Sequence, residues 1–442
     1  MTAAGHRRRG HLLKILGVTF GVAVAVGNMI GSGILRAPAA IAGTVPDATL
    51  IIGLWLLGGL HVALSINVIS ELGTAVPQSG GPYLYAHRAF GDVAGLVVGW
   101  SGWISKLAGI ASASIAAAEF LPILWPAASG HKLAVALGVQ LLLYGANAFG
   151  LREGRAIQEA SSLIKTLMLL AFVGATVAVA APGHALATAS AGTAFGWMAI
   201  IGAYSLIKGA YSGYDAPVYF TEENEAPSTS IPWALGVGLL TSFVLYIAVN
   251  TALIYALGVK GVAATPLPFG TILTRVGGTL TGLLFAAGAI ITVAGVVNAG
   301  VMSAPRILLA LARDRLLPGI FQSVNKGGSP DMAVLTTALC SLALAATGSF
   351  ALVFGLIALM DTIGAVLIDA ALFVLRRKEP GLPRPFRAIA YPILPGLLLA
   401  ADLALLVLFA GADRVGLVFA VALFLASLVF AMAARRARSR EA

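Results

Sequence analysis

Three lysines and one aspartate lie inside long apolar segments of this sequence: Lys106, Lys165, Lys208 and Asp215. A charged side chain at mid-bilayer costs about 2.5–3.5 kcal/mol on insertion scales, so such residues mark functional sites by default. Lys165 lies about nine residues into its segment, roughly 13 Å along a helix. A buried lysine changes its protonation state readily, which makes Lys165 a candidate proton carrier. The alternative is that its long side chain reaches the cytoplasmic interface.

Asp215 and the two other lysines allow two interpretations. If Asp215 faces a cavity, it favours a cationic substrate or titrates with pH. If it pairs with Lys106 or Lys208, its charge is cancelled. Asn298 presents a similar choice, because it either faces a site or hydrogen bonds between helices.

A later apolar segment carries two further carboxylates, Asp361 and Asp369. They are eight residues apart and therefore lie near one face of a helix. Arg376 and Arg377 follow closely enough to neutralise Asp369.

Two glycine-rich stretches predict breaks in otherwise apolar helices. Residues 27–33 and 209–215 each place glycines in mid-segment, where glycine disfavours a continuous helix. Inside a bilayer a broken backbone is tolerated only where protein or a water-filled cavity satisfies its polar groups. The half-helix after a break presents free N–H groups that suit a carboxylate. Close helix packing is the alternative, but paired breaks at corresponding places favour a transport site near the midplane.

The composition is that of a polytopic helical membrane protein. Hydrophobic residues make up 59% of the 442 residues and charged residues only 10%, where soluble domains carry roughly 25%. The net charge of +10 comes from residues clustered between the apolar segments. It therefore indicates membrane topology and not nucleic-acid binding. The single cysteine, Cys340, excludes an internal disulfide bond.

We count twelve membrane spans of about 20 apolar residues. They are 15–42, 48–73, 94–121, 132–150, 157–181, 194–222, 231–257, 278–312, 332–348, 351–375, 388–410 and 414–434. The tails and even-numbered loops hold about twenty Lys and Arg, against about four in the odd-numbered loops. This asymmetry predicts that both termini are cytoplasmic. The two breaks fall in spans one and six, an odd offset, so the two five-helix halves should have inverted topology.

Three connecting segments carry further polar residues. Residues 76–85 are rich in glycine and proline and predict a tight turn followed by an interfacial helix. The acidic run 222–225 and the charged segment 313–318 are most simply interpreted as solvated faces, the second complementing a helix end.

The order and spacing of these motifs resemble those of the amino acid–polyamine–organocation permeases. The resemblance covers residues 15 to 318 and is carried by 27–35, 77–83, 99–100, 221–227, 231–232, Asn298 and 306–318. It implies a LeuT-type fold with two inverted five-helix repeats and two additional helices. The implied domains are a tail at 1–14, a core at 15–376 (repeats 15–181 and 194–376), two helices within 377–434, and a tail at 435–442.

The resemblance also implies roles for individual residues. Ser32 and Gly33 match positions that bind a substrate carboxylate. The carbonyls of the residues around the two breaks match an ammonium site. The substrate-binding residues so implied are Asn28, Met29, Ile30, Gly31, Ser32, Gly33, Gly209, Ala210, Tyr211, Ser212 and Gly213. The residues assigned to selectivity or gating are Lys106, Lys208, Tyr214, Asp215 and Asn298.

Two features refine that assignment. Lys165 resembles the lysine of proton-coupled and exchanging relatives, standing where sodium-coupled relatives hold a cation. Several relatives place a large aromatic lid at the Gly209 position, and here only Tyr211 or Tyr214 is available to replace it.

We therefore expect a secondary transporter that moves amino acids across the plasma membrane by alternating access. It would need no sodium, and would work by proton coupling or amino acid exchange. No cofactor, metal or nucleic acid is expected, and the oligomeric state is open. His61 with Glu71 is the nearest approach to a catalytic pair, and their spacing suits it poorly. The alternatives are a polyamine or organic amine transporter, and a nutrient sensor of the same fold. Two mid-membrane lysines against Asp215 favour neutral or polar amino acids over cationic ones.

Overall fold

The chain folds into α-helices joined by short connections. The computed structural model describes residues 16–78, 80–148, 151–179, 196–265, 268–325, 328–412 and 414–441. Within these ranges the α-helices are α1 Val18–Met29, α2 Ser32–Thr44, α3 Ala48–Ala75, α4 Tyr83–Phe90, α5 Asp92–Leu124, α6 Lys132–Ala148, α7 Leu151–Val179, α8 Trp197–Tyr211, α9 Pro227–Ala263, α10 Pro268–Arg313, α11 Asp331–Ala346, α12 Phe350–Lys378, α13 Ile393–Ala412 and α14 Arg414–Glu441.

The architecture is that of an all-α polytopic membrane protein. Among the described residues, eight helices are long and apolar enough to cross a membrane, with α1 and α2 taken as one, and three further apolar helices are shorter. Each predicted span corresponds to one helix or one broken pair of helices, but the count of twelve membrane crossings stays a prediction. The 1–14 tail, and the residues from 180 to 195 between the predicted repeats, lie outside the described residues. Helix α14 continues to Glu441, through most of the predicted C-terminal tail.

Both predicted helix breaks are confirmed. Helix α1 ends at Met29 and α2 begins at Ser32, so residues 30 and 31 separate them. Helix α8 ends at Tyr211, and the chain resumes as a 3₁₀ helix over Ala216–Glu223. The first break thus interrupts span one, and the second interrupts span six.

The two breaks pack directly against each other. A Cβ placed on Gly33 would lie 2.7 Å from the Cα of Ala210. A Cβ on Gly213, which has a φ of +89°, would lie 2.6 Å from the Cβ of Asn28. Glycine is required at these two positions because any side chain there would push the two broken helices apart.

The loop before α4 forms as predicted. Gly80 and Gly81 have φ angles of +140° and +69°, and helix α4 follows. Tyr83 and Tyr85 on α4 are buried. Because Tyr83 and His87 both bind Asp314 at the end of α10, this helix is fastened to the molecule.

The interpretation of the acidic run at 222–225 as a solvated face is wrong for Glu223. Its carboxylate is fully buried and accepts two hydrogen bonds of 2.7 Å from the guanidinium of Arg306 on α10. Glu222 forms a half-exposed ion pair with Arg313 at 2.8 Å. Leu16 forms backbone hydrogen bonds with Glu223 and Glu225. These contacts join the residue two positions before α1, the end of the second broken helix and α10.

Candidate functional site

A cavity of about 130 Å³ lies between the two breaks. Most of the residues predicted to form the site line it: Asn28, Met29, Gly31, Ser32, Gly33, Lys106, Lys208, Gly209, Ala210, Ser212, Gly213, Tyr214 and Asp215. Helices α3, α5, α10 and α12 complete the wall. Four predicted site residues do not line the cavity: Ile30, Lys165, Tyr211 and Asn298.

The N-terminal end of α2 supplies hydrogen-bond donors to this cavity. Gly31 occupies the N-cap position, and no side chain caps the helix there. The first N–H groups of an α-helix have no partner within the helix. Together with the positive end of the helix dipole and the Ser32 hydroxyl, they form a site that suits a carboxylate.

Backbone carbonyls at the two breaks already accept hydrogen bonds from side chains of this protein. The Tyr246 hydroxyl on α9 lies 2.5 Å from the carbonyl oxygen of Met29 and 2.9 Å from that of Ala210. One hydroxyl has one proton, so it donates fully to only one of the two. The other carbonyl therefore keeps an acceptor position that this hydroxyl does not fill. The Ile30 carbonyl accepts from Lys165 instead and lies outside the cavity lining, so the structure does not support Ile30 as a substrate contact.

Lys165 is fully buried beside the first break. Its Nζ donates to the carbonyls of Gly27 at 2.9 Å, Ile30 at 3.0 Å and Thr292 at 3.2 Å. The three protons of an ammonium match these three acceptors. The alternative that Lys165 reaches the interface is therefore wrong. The lysine ties the end of α1 to α10, and its role in proton coupling stays a prediction.

Each of the two cavity lysines has a carboxylate partner. Lys106 Nζ lies 3.8 Å from Asp215 Oδ1 and 4.2 Å from the centre of the Tyr219 ring. Lys208 Nζ lies 2.5 Å from Asp402 Oδ1 on α13. Of the two pairings considered for Asp215, the one with Lys106 is confirmed, and Lys208 pairs with Asp402 instead. Neither lysine is left to repel a cationic side chain, so that argument for neutral substrates falls.

Three other expectations are corrected by the contacts. Asn298 is buried and bonds to Asn147, the Gly154 carbonyl and Gln158, so it joins α6, α7 and α10 and does not face the cavity. Arg376 binds Glu71 and not Asp369.

The third correction concerns the aromatic lid. Tyr211 packs against Trp55 and Tyr246, with ring centres 5.9 and 4.9 Å away, and does not border the cavity. Of the two candidate lids only Tyr214 lines it.

A second cavity of about 580 Å³ shares Ser32 and Gly33 with the first. It extends along α2 past Arg36 to Gly43 and to the end of α9 at Ala263. Under the predicted topology these helix ends face away from the cytoplasm. This second cavity thus extends from Ser32 and Gly33 towards the side opposite the Glu223–Arg306 pair.

The sequence reasoning missed two residues that shape the site. Tyr246 is one tyrosine in a long apolar span, and only packing reveals that it lies between the two breaks. Asp402 lies on a helix assigned outside the core, so its pairing with Lys208 could not be foreseen. The sequence did contain an indication of its role, because Asp402 lies in the middle of an apolar span. A charged side chain there is as costly to insert into the bilayer as the mid-span lysines are.

Comparison with known proteins gives a consistent result. The family model described as amino acid permease matches residues 16–436. The serine/threonine exchanger SteT of Bacillus subtilis is 25% identical over 412 residues, 90% of this chain and 91% of that protein. The branched-chain amino acid permease BcaP of the same organism is 24% identical, covering 85% and 83%. The large neutral amino acids transporter small subunit 2 of Oryctolagus cuniculus is 26% identical, covering 87% and 74%.

Proposed function

Because this chain belongs to the amino acid permease family, we propose that it is a secondary transporter that carries an amino acid across the plasma membrane by alternating access. The observation that carries the proposal is the opposition of the two breaks. The uncapped N-terminal end of α2 presents donors to the cavity, and the carbonyls of Met29 and Ala210 present acceptors. An α-amino acid carries the matching carboxylate and ammonium at a fixed short separation.

The coupling mechanism is proposed to need no sodium. Lys165 places an ammonium among three carbonyl oxygens of α1, the break and α10. A sodium ion would need those same oxygens as ligands. The positive charge of Lys165 would also repel a cation at this position. Proton coupling and exchange both remain compatible with this arrangement.

We propose a small neutral or polar amino acid as the substrate. The cavity of about 130 Å³ is small, and no bulky aromatic stands at the Gly209 position. The Lys106–Asp215 pair leaves no excess positive charge there, and Asp361 accepts a hydrogen bond from Ser212 at the second break. The curated relatives named above include a serine/threonine exchanger, a branched-chain permease and a large neutral transporter. Cavity size favours the first of these substrate classes.

The proposal is tested by binding and flux on the purified protein. A thermal-stability screen should show stabilisation by alanine, serine or threonine, because ligands that bind the folded state raise its stability by mass action. Ethylamine and ethanolamine, the decarboxylated analogues of alanine and serine, should give no comparable shift. In proteoliposomes without sodium, labelled serine should exchange with unlabelled serine inside.

Two other outcomes identify the alternatives. Equal stabilisation by the decarboxylated analogues makes an amine transporter the correct assignment. Stabilisation by amino acids without flux in either direction makes the protein a sensor. Strict dependence of flux on sodium contradicts the assigned role of Lys165.

A further inference from the structure

A compact group of four titratable side chains lies next to the cavity, and two of them, His61 and Lys208, line it. It consists of His61 on α3, Lys208 on α8, Asp369 on α12 and Asp402 on α13. We call it the four-residue cluster. Helix α13 is mostly exposed on the outer surface of the molecule, yet the Asp402 side chain is fully buried. The cluster is separate from Lys165, which binds α10 and the end of α1.

The contacts of the cluster centre on Asp402. Its Oδ1 lies 2.5 Å from Lys208 Nζ and 3.3 Å from His61 Nε2. Its Oδ2 is buried without a hydrogen-bond donor, and so is Oδ2 of Asp369. The two carboxyl groups are close enough to hydrogen bond to each other. Such a bond exists only if one of them is protonated, because two carboxylates have no donor between them.

The charges of the cluster do not balance without an added proton. With Lys208 protonated and both carboxylates ionised, the cluster needs one more proton to be neutral, either on His61 or on a carboxyl group. A proton on His61 would leave Oδ2 of Asp369 and Oδ2 of Asp402 without a donor. An uncompensated charge in a buried site is strongly disfavoured. Two adjacent carboxylates resolve this conflict by holding one proton between them. The same proton supplies the donor that the two orphaned oxygens lack.

Among the described residues of the neighbouring helices, no further cation supplies the missing charge, because Lys106 on α5 is paired with Asp215. Helix α3 contributes His61, and its Glu71 is bound by Arg376 and Arg384. Helix α8 contributes Lys208, with the neutral phenols of Tyr204 and Tyr214 nearby.

The remaining neighbours of the cluster leave the balance unchanged. On α12, Asp361 binds Ser212 at the second break, and it is one further carboxylate and not a cation. From Val415 to Ala434, α14 carries no titratable residue.

We propose that the four-residue cluster is a second proton-binding site of this protein, holding one proton between Asp369 and Asp402. Lys208 immediately precedes Gly209 at the second break, so the cluster adjoins the element that forms the substrate site. Loss of the proton leaves an extra negative charge beside Lys208 and holds that end of α8 more firmly to α13. The link to transport rests on the proposed function, but the presence of the proton does not.

Infrared spectroscopy of the purified protein in liposomes tests the site directly. A protonated carboxyl group has a C=O stretching band separate from the bands of carboxylates. The wild-type protein at neutral pH should show this band, with a shift on exchange into D₂O. Asp369→Asn and Asp402→Asn should each remove it. The control is Asp47→Asn, which keeps a capping side chain at the start of α3 and should leave the band unchanged.

The outcomes separate this site from the transport function. Absence of the band in wild type, or its persistence in both aspartate variants, overturns the proposal. If one variant does not fold, the other decides, with monodisperse elution in detergent and the thermal unfolding temperature as the folding checks. Lys208→Met supplies a further test, because the loss of the ammonium should raise the band intensity as a second proton binds. If the wild-type protein shows the infrared band but does not exchange serine, the proposed transport function is contradicted and the proton site is not.

Discussion

The Tyr246 hydroxyl lies between the two breaks and contacts the carbonyls of Met29 and Ala210, which are the acceptors proposed for a substrate ammonium. We expect Tyr246→Phe to lower the stability of the unliganded protein, because two buried carbonyls lose their shared donor, at about 1–3 kcal/mol. Stabilisation by substrate should become larger, since the ammonium then has both carbonyls to itself. Thermal unfolding with and without serine measures both effects. Tyr211→Phe is the matched control, because its hydroxyl makes only a 3.4 Å contact. Unchanged stability of unliganded Tyr246→Phe would contradict the assignment.

Lys165 permits a second test at the scale of one residue. Lys165→Met keeps most of the side-chain volume but removes the donor from three buried carbonyls. We expect serine exchange at low external pH to fall at least tenfold and to lose its pH dependence. Lys260→Met, at the exposed end of α9, should exchange serine normally. A variant of Lys165 with the wild-type pH profile would rule out its role in proton coupling.

The residues of the two breaks were predictable because glycine and polar side chains in an apolar run are a local signal. Tyr246 and Asp402 were not, since their importance depends on where distant helices pack. Asn298 was wrongly assigned to the site for the same reason, because its role also depends on the packing of distant helices. It has the polarity of a site residue, but three neighbouring helices satisfy its amide away from the cavity.

At the scale of helices, the close approach of α2 and α8 makes a sharp prediction for Gly33. In Gly33→Ala the new Cβ would meet Ala210 at 2.7 and 2.9 Å, so the two broken helices must move apart. We expect loss of serine-induced stabilisation, with the protein still monodisperse in detergent. Gly43→Ala on the same helix meets nothing within 4 Å and should bind serine as wild type does. Wild-type binding by Gly33→Ala would show that this contact does not shape the site.

The attachment of α4 to α10 predicts a pH dependence outside the apolar spans. His87 contacts Asp314 at 3.3 Å and Asp92 at 3.0 Å, one carboxylate at each ring nitrogen. The hydrogen bond to Asp314 raises the pKa of His87 above its ordinary value, against the opposing effect of partial burial. Burial acts to raise the pKa of Asp314, but hydrogen bonds from His87 and Tyr83 outweigh it and hold the pKa below its ordinary value.

The direction of the effect follows from these shifts. A raised histidine pKa adds stability that is complete below about pH 6.5 and is lost as pH rises through the raised value. The lowered pKa of Asp314 adds stability that is lost only in acid. We expect thermal stability to fall by less than about 1 kcal/mol above neutral pH, because Asp314 is 36% exposed and water screens the pair. His87→Gln should remove this fall, and a wild-type profile in that variant would contradict the prediction.

At the scale of the whole molecule, we expect the Glu223–Arg306 pair to be the main contact that closes one end of the site. Glu223→Gln leaves the buried Arg306 without its charge partner, a loss of about 3–5 kcal/mol. We expect lower thermal stability and faster thiol labelling of a cysteine introduced at Ser303 in a background lacking Cys340. The half-exposed Glu222–Arg313 pair should contribute less than about 1 kcal/mol, so Glu222→Gln is the control. Equal effects of the two variants would contradict this assignment.

The overall architecture followed largely from hydropathy, because a bilayer permits only helices that satisfy their own backbone groups. The roles of the charged residues at the helix ends were predicted less accurately. Glu223 was expected to be solvated, because an acidic run gives no indication that an arginine on α10 will bury one of its members. Pairings between distant helices are set by tertiary packing, and a single sequence contains no local record of them.

The Lys208–Asp402 pair joins residues 194 positions apart, which has a consequence for how the protein is made. At about 5–20 residues per second, the ribosome completes Asp402 roughly 10–40 s after Lys208. During that interval α8 is threaded into the membrane with a lysine that has no native counter-charge. Until Asp402 is available, α8 must be kept in the membrane by the translocon, by lipid headgroups or by a temporary partner. The native contact of Lys208 forms only after α13 has been made, so assembly of the site cannot finish before that helix enters the membrane.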